Sequence, residues 1–320
     1  VEIRPLGHSG LLVSEISYGT WVGQRSQVDE HLARQCVRAA LDEGITTFDT
    51  ADVHADTRAE DVLGRVLKGV RRESLQIFTK VHPPAVPGRD LSRERITESI
   101  HGSLRRLRTD YVDLYQVHGF DSAAPLDEIL ETLDDLARQG KARHVGVSGW
   151  NAEQIAQALG IADEMGFRRI VSNQAPYSMV WRVIEADVVP LCEKEGLGQI
   201  VWAPIAQGVL TRKYSPGRRP LARAIDPGVS QFAPEELTDD TLTRVQRLKP
   251  IAADLGLSMA QLAIAWVLRH QNVASAVVCA STPGQPREAA GASGLTLDAE
   301  VLQKIDEVLE SVTRRSVPPA

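Results

Sequence analysis

Residues 48–54 read Phe48-Asp49-Thr50-Ala51-Asp52-Val53-His54. The run before them, Gly44-Ile45-Thr46-Thr47, reads as a short strand, and Arg58 to Leu67 after them reads as a helix. Acidic and imidazole groups therefore stand where a strand hands over to its loop. In an α/β barrel that place is the C-terminal rim, where active sites are built. Lys80 ends the next apolar run, Leu75-Gln76-Ile77-Phe78-Thr79-Lys80, and His118 follows another, Tyr111 to Val117. Successive strand ends thus offer Asp49 with His54, then Lys80, then His118. Singly, each has an ordinary reading. A strand-end Asp caps a helix or forms a turn, a rim lysine keeps a solvated head, and a histidine is satisfied in the core. Their joint placement is what points to chemistry.

The flanking sequence repeats the same alternation. Residues 1–13 turn at His8-Ser9-Gly10 and predict a small hairpin. Ile16 to Trp21 reads as a first strand with its loop, and Asp29 to Glu43 places Leu32, Cys36, Ala39 and Ala40 on one helical face. A loop with Pro83, Pro84 and Pro87 precedes a helix starting at Ser92, with Ile96, Ile100, Leu104 and Leu107 on one face. Leu126, Ile129, Leu130 and Leu133 mark another helix, closed by Gly140. Strands follow at His144–Ser148, Ile170–Gln174, Gln199–Ala203 and Ala274–Cys279. Helices are expected around Ile155, Leu159 and Ala162, and from Val183 to Lys194. Eight strand–helix units in alternation predict an α/β fold: a single (β/α)8 TIM barrel domain over residues 1–320. The N-terminal hairpin and a C-terminal helix with Leu302, Ile305 and Leu309 are additions to it, and a Pro-ended tail after that helix is free to cover the barrel or fray. The polar stretch from Gly208 to Asp240 after strand 7 is too long for a plain connection and reads as a lid or substrate loop.

Composition narrows the function. A net charge of −6 with both signs interspersed excludes nucleic acid as the main partner. No apolar run approaches the ~18 residues of a membrane span, and no signal pattern opens the chain. The three cysteines, Cys36, Cys192 and Cys279, have no metal-type spacing, so no metal is expected and a reduced cytoplasmic protein is. No pair of rim carboxylates suits glycoside hydrolysis. The groups present do suit hydride reduction of a carbonyl, which needs a proton donor at oxygen and stabilisation of the developing alkoxide. Asp49 would hold Lys80 as a buried ion pair, His118 would orient the carbonyl, and His54 would stand at the donor position.

Several segments resemble the aldo-keto reductase superfamily and recur in its order over roughly residues 3 to 310. They are Phe48-Asp49-Thr50-Ala51-Asp52, Glu60-Asp61-Val62-Leu63-Gly64, Thr79-Lys80-Val81 and Asp113-Leu114-Tyr115-Gln116-Val117-His118. Gly146-Val147-Ser148, Asn173-Gln174 and Ala203-Pro204-Ile205-Ala206-Gln207-Gly208-Val209-Leu210 complete the set. Tyr177-Ser178, Arg182 and Glu185 resemble the bacterial branch related to potassium-channel β subunits. The resemblance implies NADPH bound across the rim without a Rossmann fingerprint, a small-molecule carbonyl substrate, and Asp49, Lys80 and His118 as catalytic groups. It implies that Ser148 and Gln174 hold the carboxamide of nicotinamide and that Trp202 stacks on its ring. Gly19, Thr20, Trp21 and Asp49 would approach the cofactor, and Trp21 and Trp150 would line the substrate pocket. Ala203, Pro204, Ile205, Ala206, Gln207 and Gly208 would cover the pyrophosphate, with Ser281, Thr282, Gln285 and Glu288 at the adenosine end. Trp21, Trp150 and Trp181 suit an apolar or ring-shaped carbonyl, though core packing explains aromatics as often.

The chain departs from the family pattern at informative positions. Many members carry an Asn where Gly149 stands, and another where Ala289 stands. The family's proton donor is a Tyr five residues after the Asp, and here it is His54. Three accounts compete: His54 is the general acid, carbonyl reduction is lost while the cofactor still binds, or the site serves another redox substrate. An imidazolium with a pKa near ~6.5 can protonate an alkoxide, and Lys80 nearby disfavours that charged form, so activity is expected at lower pH. The alternative of a different class is a catalytically impaired, NADPH-binding regulatory or interaction protein. The oligomeric state is left open.

Overall fold

The computed structural model describes residues 1–21, 30–82, 91–211, 213–217 and 238–316. It opens with an antiparallel hairpin of β1 (Ile3–Pro5) and β2 (Leu12–Ser14), in register Ile3↔Ser14 to Pro5↔Leu12. Eight parallel strands then close a barrel: β3 (Ile16–Gly19), β4 (Thr47–Asp49), β5 (Gln76–Val81), β6 (Val112–His118), β7 (Ala142–Ser148), β8 (Ser172–Pro176), β9 (Gly198–Trp202) and β10 (Val273–Cys279). Each pairs with its neighbour in sequence, and β10 closes onto β3 from Ala276↔Ile16 to Cys279↔Gly19.

The helices wrap the outside: α1 (Glu30–Asp42), α2 (Arg58–Val66), α3 (Arg93–Leu107), α4 (Leu126–Arg138), α5 (Ala152–Met165), α6 (Val188–Glu195), α7 (Asp239–Gln246), α8 (Lys249–Asp254), α9 (Met259–Leu268), α10 (Gly284–Ala290) and α11 (Ala299–Leu309). Their apolar faces and the outward side chains of the strands form the main core, including Ile45, Ile96, Tyr115 and Trp266, all fully buried. A second cluster fills the barrel interior. Leu6 and Val13 of the hairpin meet Phe78, Leu114, Ile200 and Ala274 there, so the hairpin stoppers the N-terminal mouth. The approach is tight: a Cβ on Gly7 would lie 2.3 Å from the carbonyl oxygen of Gly196, and the φ of +55° also favours glycine.

Two sequence expectations shift. Gly44 and Ile45 are not strand but the close of α1: Gly44 has φ +80°, and the Ile45 N–H donates to the Ala40 carbonyl. The second barrel strand therefore lies at Thr47–Asp49 and ends on the carboxylate itself. The helix expected over Val183–Lys194 is broken, a 3-10 turn at Val183–Glu185 followed by α6, with Asp187 between them at φ −128°. Within the long segment after β9, Pro216 and Gly217 are described, but residues 218–237 lie outside the described residues, as do Pro83, Pro84 and Pro87. The C-terminal tail lies against the loop after β8: Arg314 N–H donates to the Val180 carbonyl at 2.8 Å, and Arg182 N–H to the Arg314 carbonyl at 2.7 Å. Among the described residues, no single helix is long and apolar enough to cross a membrane.

Candidate active site

The β3–β4–β5–β6 register sets the rim. Asp49 is the last residue of β4, Lys80 the penultimate residue of β5, and His118 the last of β6. Asp49 is 3% and Lys80 1% exposed. The Lys80 ammonium donates to Asp49 Oδ2 at 2.7 Å and to the Thr50 carbonyl at 2.9 Å. From β8, Gln174 Nε2 donates to Asp49 Oδ1 at 2.8 Å. A buried lysine is thus held at fixed depth, its counter-charge locked from across the barrel. Charge in a dry, preorganised site acts more strongly than in water.

His54 sits in the loop from β4 to α2 and is 7% exposed. The loop is bolted to β5 through Asp52. Its N–H donates to the Lys80 carbonyl at 3.1 Å, and its carboxylate accepts the His82 N–H at 3.1 Å and the Ser99 hydroxyl at 2.8 Å. Directly after His54, three non-glycine residues adopt left-handed backbone: Ala55, Asp56 and Thr57, with φ of 49°, 52° and 71°. The imidazole faces that of His118, which in turn faces His82. The His54 and His118 ring centroids lie 6.1 Å apart, and those of His82 and His118 5.0 Å apart, both edge to face.

Burial drives the His54 pKa well below its ordinary 6.5, and the Lys80, His118 and His82 side chains add to the depression. His118 falls to about 3, first through burial, then through Lys80 and His82. Desolvation is therefore the larger cause, ahead of the Lys80 charge anticipated from sequence. Both imidazoles are neutral near pH 7. His82 escaped the sequence reading, although it follows Lys80 by two residues, the spacing that returns a strand to the same face.

The other expected contacts fall at the rim with differing fates. The Ser148 hydroxyl donates to the Gln174 carbonyl at 3.0 Å. Its oxygen and Gln174 Oε1 then stand as acceptors, the pairing that a carboxamide NH2 requires. A Cβ on Gly19 would lie 2.6 Å from Val277 and 2.9 Å from the Cys279 sulfur, so only glycine leaves room at that strand end. Trp202 ends β9, half-buried, and its carbonyl accepts the Tyr177 N–H. In the segment after it, Ala203, Ala206, Gln207 and Gly208 all have positive φ. The N–H groups of Ala206, Gly208, Val209 and Leu210 are spent on carbonyls of the same segment.

Gln285 Oε1 accepts the N–H groups of Ser281 and Thr282 at 2.6 and 3.2 Å, which ties off the exposed turn before α10, where Glu288 is also exposed. Trp21 is half-buried, whereas Trp150 is 2% exposed with Phe120 edge-on at 4.9 Å, so Trp150 is largely core. Trp181, in the loop after β8, bridges to Arg314. Among the described residues, no group of three or more His, Cys, Asp and Glu side chains is placed to hold a metal ion.

The model of the aldo/keto reductase family matches residues 15–310, nearly the whole chain and all eight barrel strands. The chain belongs to that family. A protein named as a probable voltage-gated potassium channel subunit beta, from Oryza sativa subsp. japonica, is 37% identical over 324 residues and covers 99% of both chains. One of the same name from Arabidopsis thaliana is 36% identical over 323 residues, with 98% of both covered.

Proposed function

We propose that this chain is an NADPH-dependent oxidoreductase interconverting a small aldehyde or ketone and its alcohol. One observation carries the reading: the fully buried Lys80–Asp49 pair, clamped by Gln174, beside two neutral imidazoles at the barrel rim. A protein that only binds has no use for a lysine desolvated to 1% exposure next to imidazoles.

The donor set supports the cofactor. Ser148 Oγ and Gln174 Oε1 would receive the carboxamide of nicotinamide, Trp202 would flank its ring, and Gly19 would admit it close to the strand ends. When bound, the reduced nicotinamide supplies hydride. The protein's residues do the rest. Among the described residues, the buried nitrogen His118 Nδ1 has no hydrogen-bond partner, and the His118 ring would orient the substrate oxygen. Lys80 contributes fixed positive potential, which stabilises an alkoxide. His54 exchanges the proton with that oxygen. Cytoplasmic residence fits the buried thiols of Cys36 and Cys192.

NADPH oxidation with a broad carbonyl panel, across about pH 5 to 8, tests the proposal on this chain and His54→Tyr together. Turnover by this chain with an acid-shifted optimum supports it. NADPH binding without turnover by this chain, restored in His54→Tyr, favours the second reading, a cofactor-binding regulatory protein. The names of the relatives and the absence of a tyrosine at position 54 favour that reading. If neither chain binds NADPH, both readings fail.

A further inference from the structure

The hydroxyl of Thr20, one residue beyond β3, makes two contacts. It donates its single proton to Thr50 Oγ1 at 2.8 Å, and its oxygen lies 3.4 Å from His54 Nδ1. A hydroxyl whose proton is committed elsewhere can only accept. The backbone fixes the arrangement, because Thr20 N–H donates to the Asp49 carbonyl at 3.0 Å and Thr50 N–H to the Phe78 carbonyl at 2.9 Å. Beyond its hydroxyl, Thr20 borders a largely apolar crevice whose lining includes Tyr18, Ala33, Val37 and Val62. Among the described residues, Nδ1 is the one His54 ring nitrogen with a hydrogen-bond partner.

We propose that Thr20 locks neutral His54 in the tautomer with its proton on Nδ1, so that Nε2 presents a lone pair to the substrate and position 54 works as a base toward alcohols. The proposal rests on the oxidoreductase reading and sets its direction. In the favoured reaction, the alcohol O–H bond breaks and its proton passes to Nε2. The carbinol C–H bond breaks with its electron pair, and hydride leaves to an oxidised nicotinamide cofactor. The C–O bond becomes the carbonyl, and the imidazolium then returns the Nε2 proton to water.

The groups facing His54 disfavour the opposite role. Lys80 and His82 act on it from the end of β5 and His118 from β6, with Asp49 engaged by Lys80. Burial, the Lys80 ammonium and the two neighbouring imidazoles all oppose protonation, so few molecules hold the imidazolium that carbonyl reduction needs. Thr20 is a positioning residue here, acting through the ring.

Long-range nitrogen–proton NMR of the histidine side chains reads the tautomer directly on the cofactor-free chain, with the His54 signals assigned by their loss in His54→Gln. The expected spectrum shows a protonated Nδ1 and a bare Nε2 near neutral pH, unchanged in Thr20→Ser. In Thr20→Val the preference is lost. A wild-type spectrum with the proton on Nε2 overturns the proposal, as does Thr20→Val retaining the Nδ1 proton. Turnover is read separately. Alcohol oxidation is expected to hold its rate from neutral pH upward, while carbonyl reduction falls about tenfold for each pH unit above the His54 pKa. Reduction that stays level through neutral pH refutes the base role. The expected tautomer without turnover in either direction refutes the oxidoreductase reading and leaves the Thr20 lock standing.

Discussion

Replacing Lys80 with methionine removes the ammonium and keeps most of the side-chain volume. Asp49 then keeps only the Gln174 donor among its two side-chain partners, at 3% exposure, and the Thr50 carbonyl loses its partner. Breaking a buried pair from one side costs about 3–5 kcal/mol because a charge is left uncompensated. At about 2 °C per kcal/mol for a large domain, Lys80→Met should melt about 6–10 °C below wild type. Removing both charges should cost less, since a buried pair replaced as a unit is often close to neutral. Scanning calorimetry of wild type, Lys80→Met, Asp49→Asn and the double variant measures this. The expected double variant melts above Lys80→Met. Should Lys80→Met melt within about 2 °C of wild type, or the double variant melt lower still, the ion pair is not the buried, coupled unit described. In Lys80→Met the His54 pKa should rise but remain below 6.5, because burial is the larger cause of its depression.

The depressed histidines fix a sign for acid stability. Between the lowered folded values of His54 and His118 and the unfolded 6.5, only the unfolded chain takes up their protons, so stability present above pH 6.5 is lost as pH falls. Each histidine contributes up to about 1.4 kcal/mol per pH unit, and His54→Gln should flatten the slope of melting temperature against pH. Thr57 is β-branched at φ 71° and makes no side-chain capping bond, so Thr57→Gly should stabilise by about 0.5–1 kcal/mol, the left-handed penalty less the glycine entropy; a lower melting temperature would count against strain there. A Cβ on Gly64 would lie 2.3 Å from the Arg106 carbonyl oxygen, so Gly64→Ala should cost about 1–3 kcal/mol in denaturant titration. Gly149 has φ +72° with open space where a Cβ would stand, and Asn tolerates that backbone. Gly149→Asn should therefore fold normally and bind NADPH about fivefold more tightly, the worth of one added hydrogen bond, as read by fluorescence titration.

The barrel was legible because its strands are short apolar runs ending on Asp49, Lys80 and His118, and the helices between them keep their period. Strand edges were less so. Gly44-Ile45 looks like strand by composition, but a glycine with positive φ ended α1 instead, a backbone property that apolar pattern does not encode. Helices α7 to α9 went unread, although Ser258 and Gln261 spell a capping box at the start of α9. Within the site, the ion pair followed from residue type and strand order. The Gln174 clamp on Asp49 spans 125 positions, and the Thr20–Thr50–His54 chain depends on which hydroxyl keeps its proton. Sequence names such groups without saying which way they point. Asp52 has no role assigned from sequence, and it fastens the His54 loop to β5.

The hairpin stopper and the β10–β3 seam also order events in time. Strands β3 to β6 leave the ribosome early, carrying Asp49, Lys80 and His118, but the pair of charges stays wet until β8 brings Gln174 and β10 closes the wall. The lining around Leu6 is incomplete until residues 196–200 and Ala274 exist. The growing chain therefore carries Asp49, Lys80 and His118 in a solvated form through most of synthesis. Their burial is complete only at closure, when the last strand finds the first.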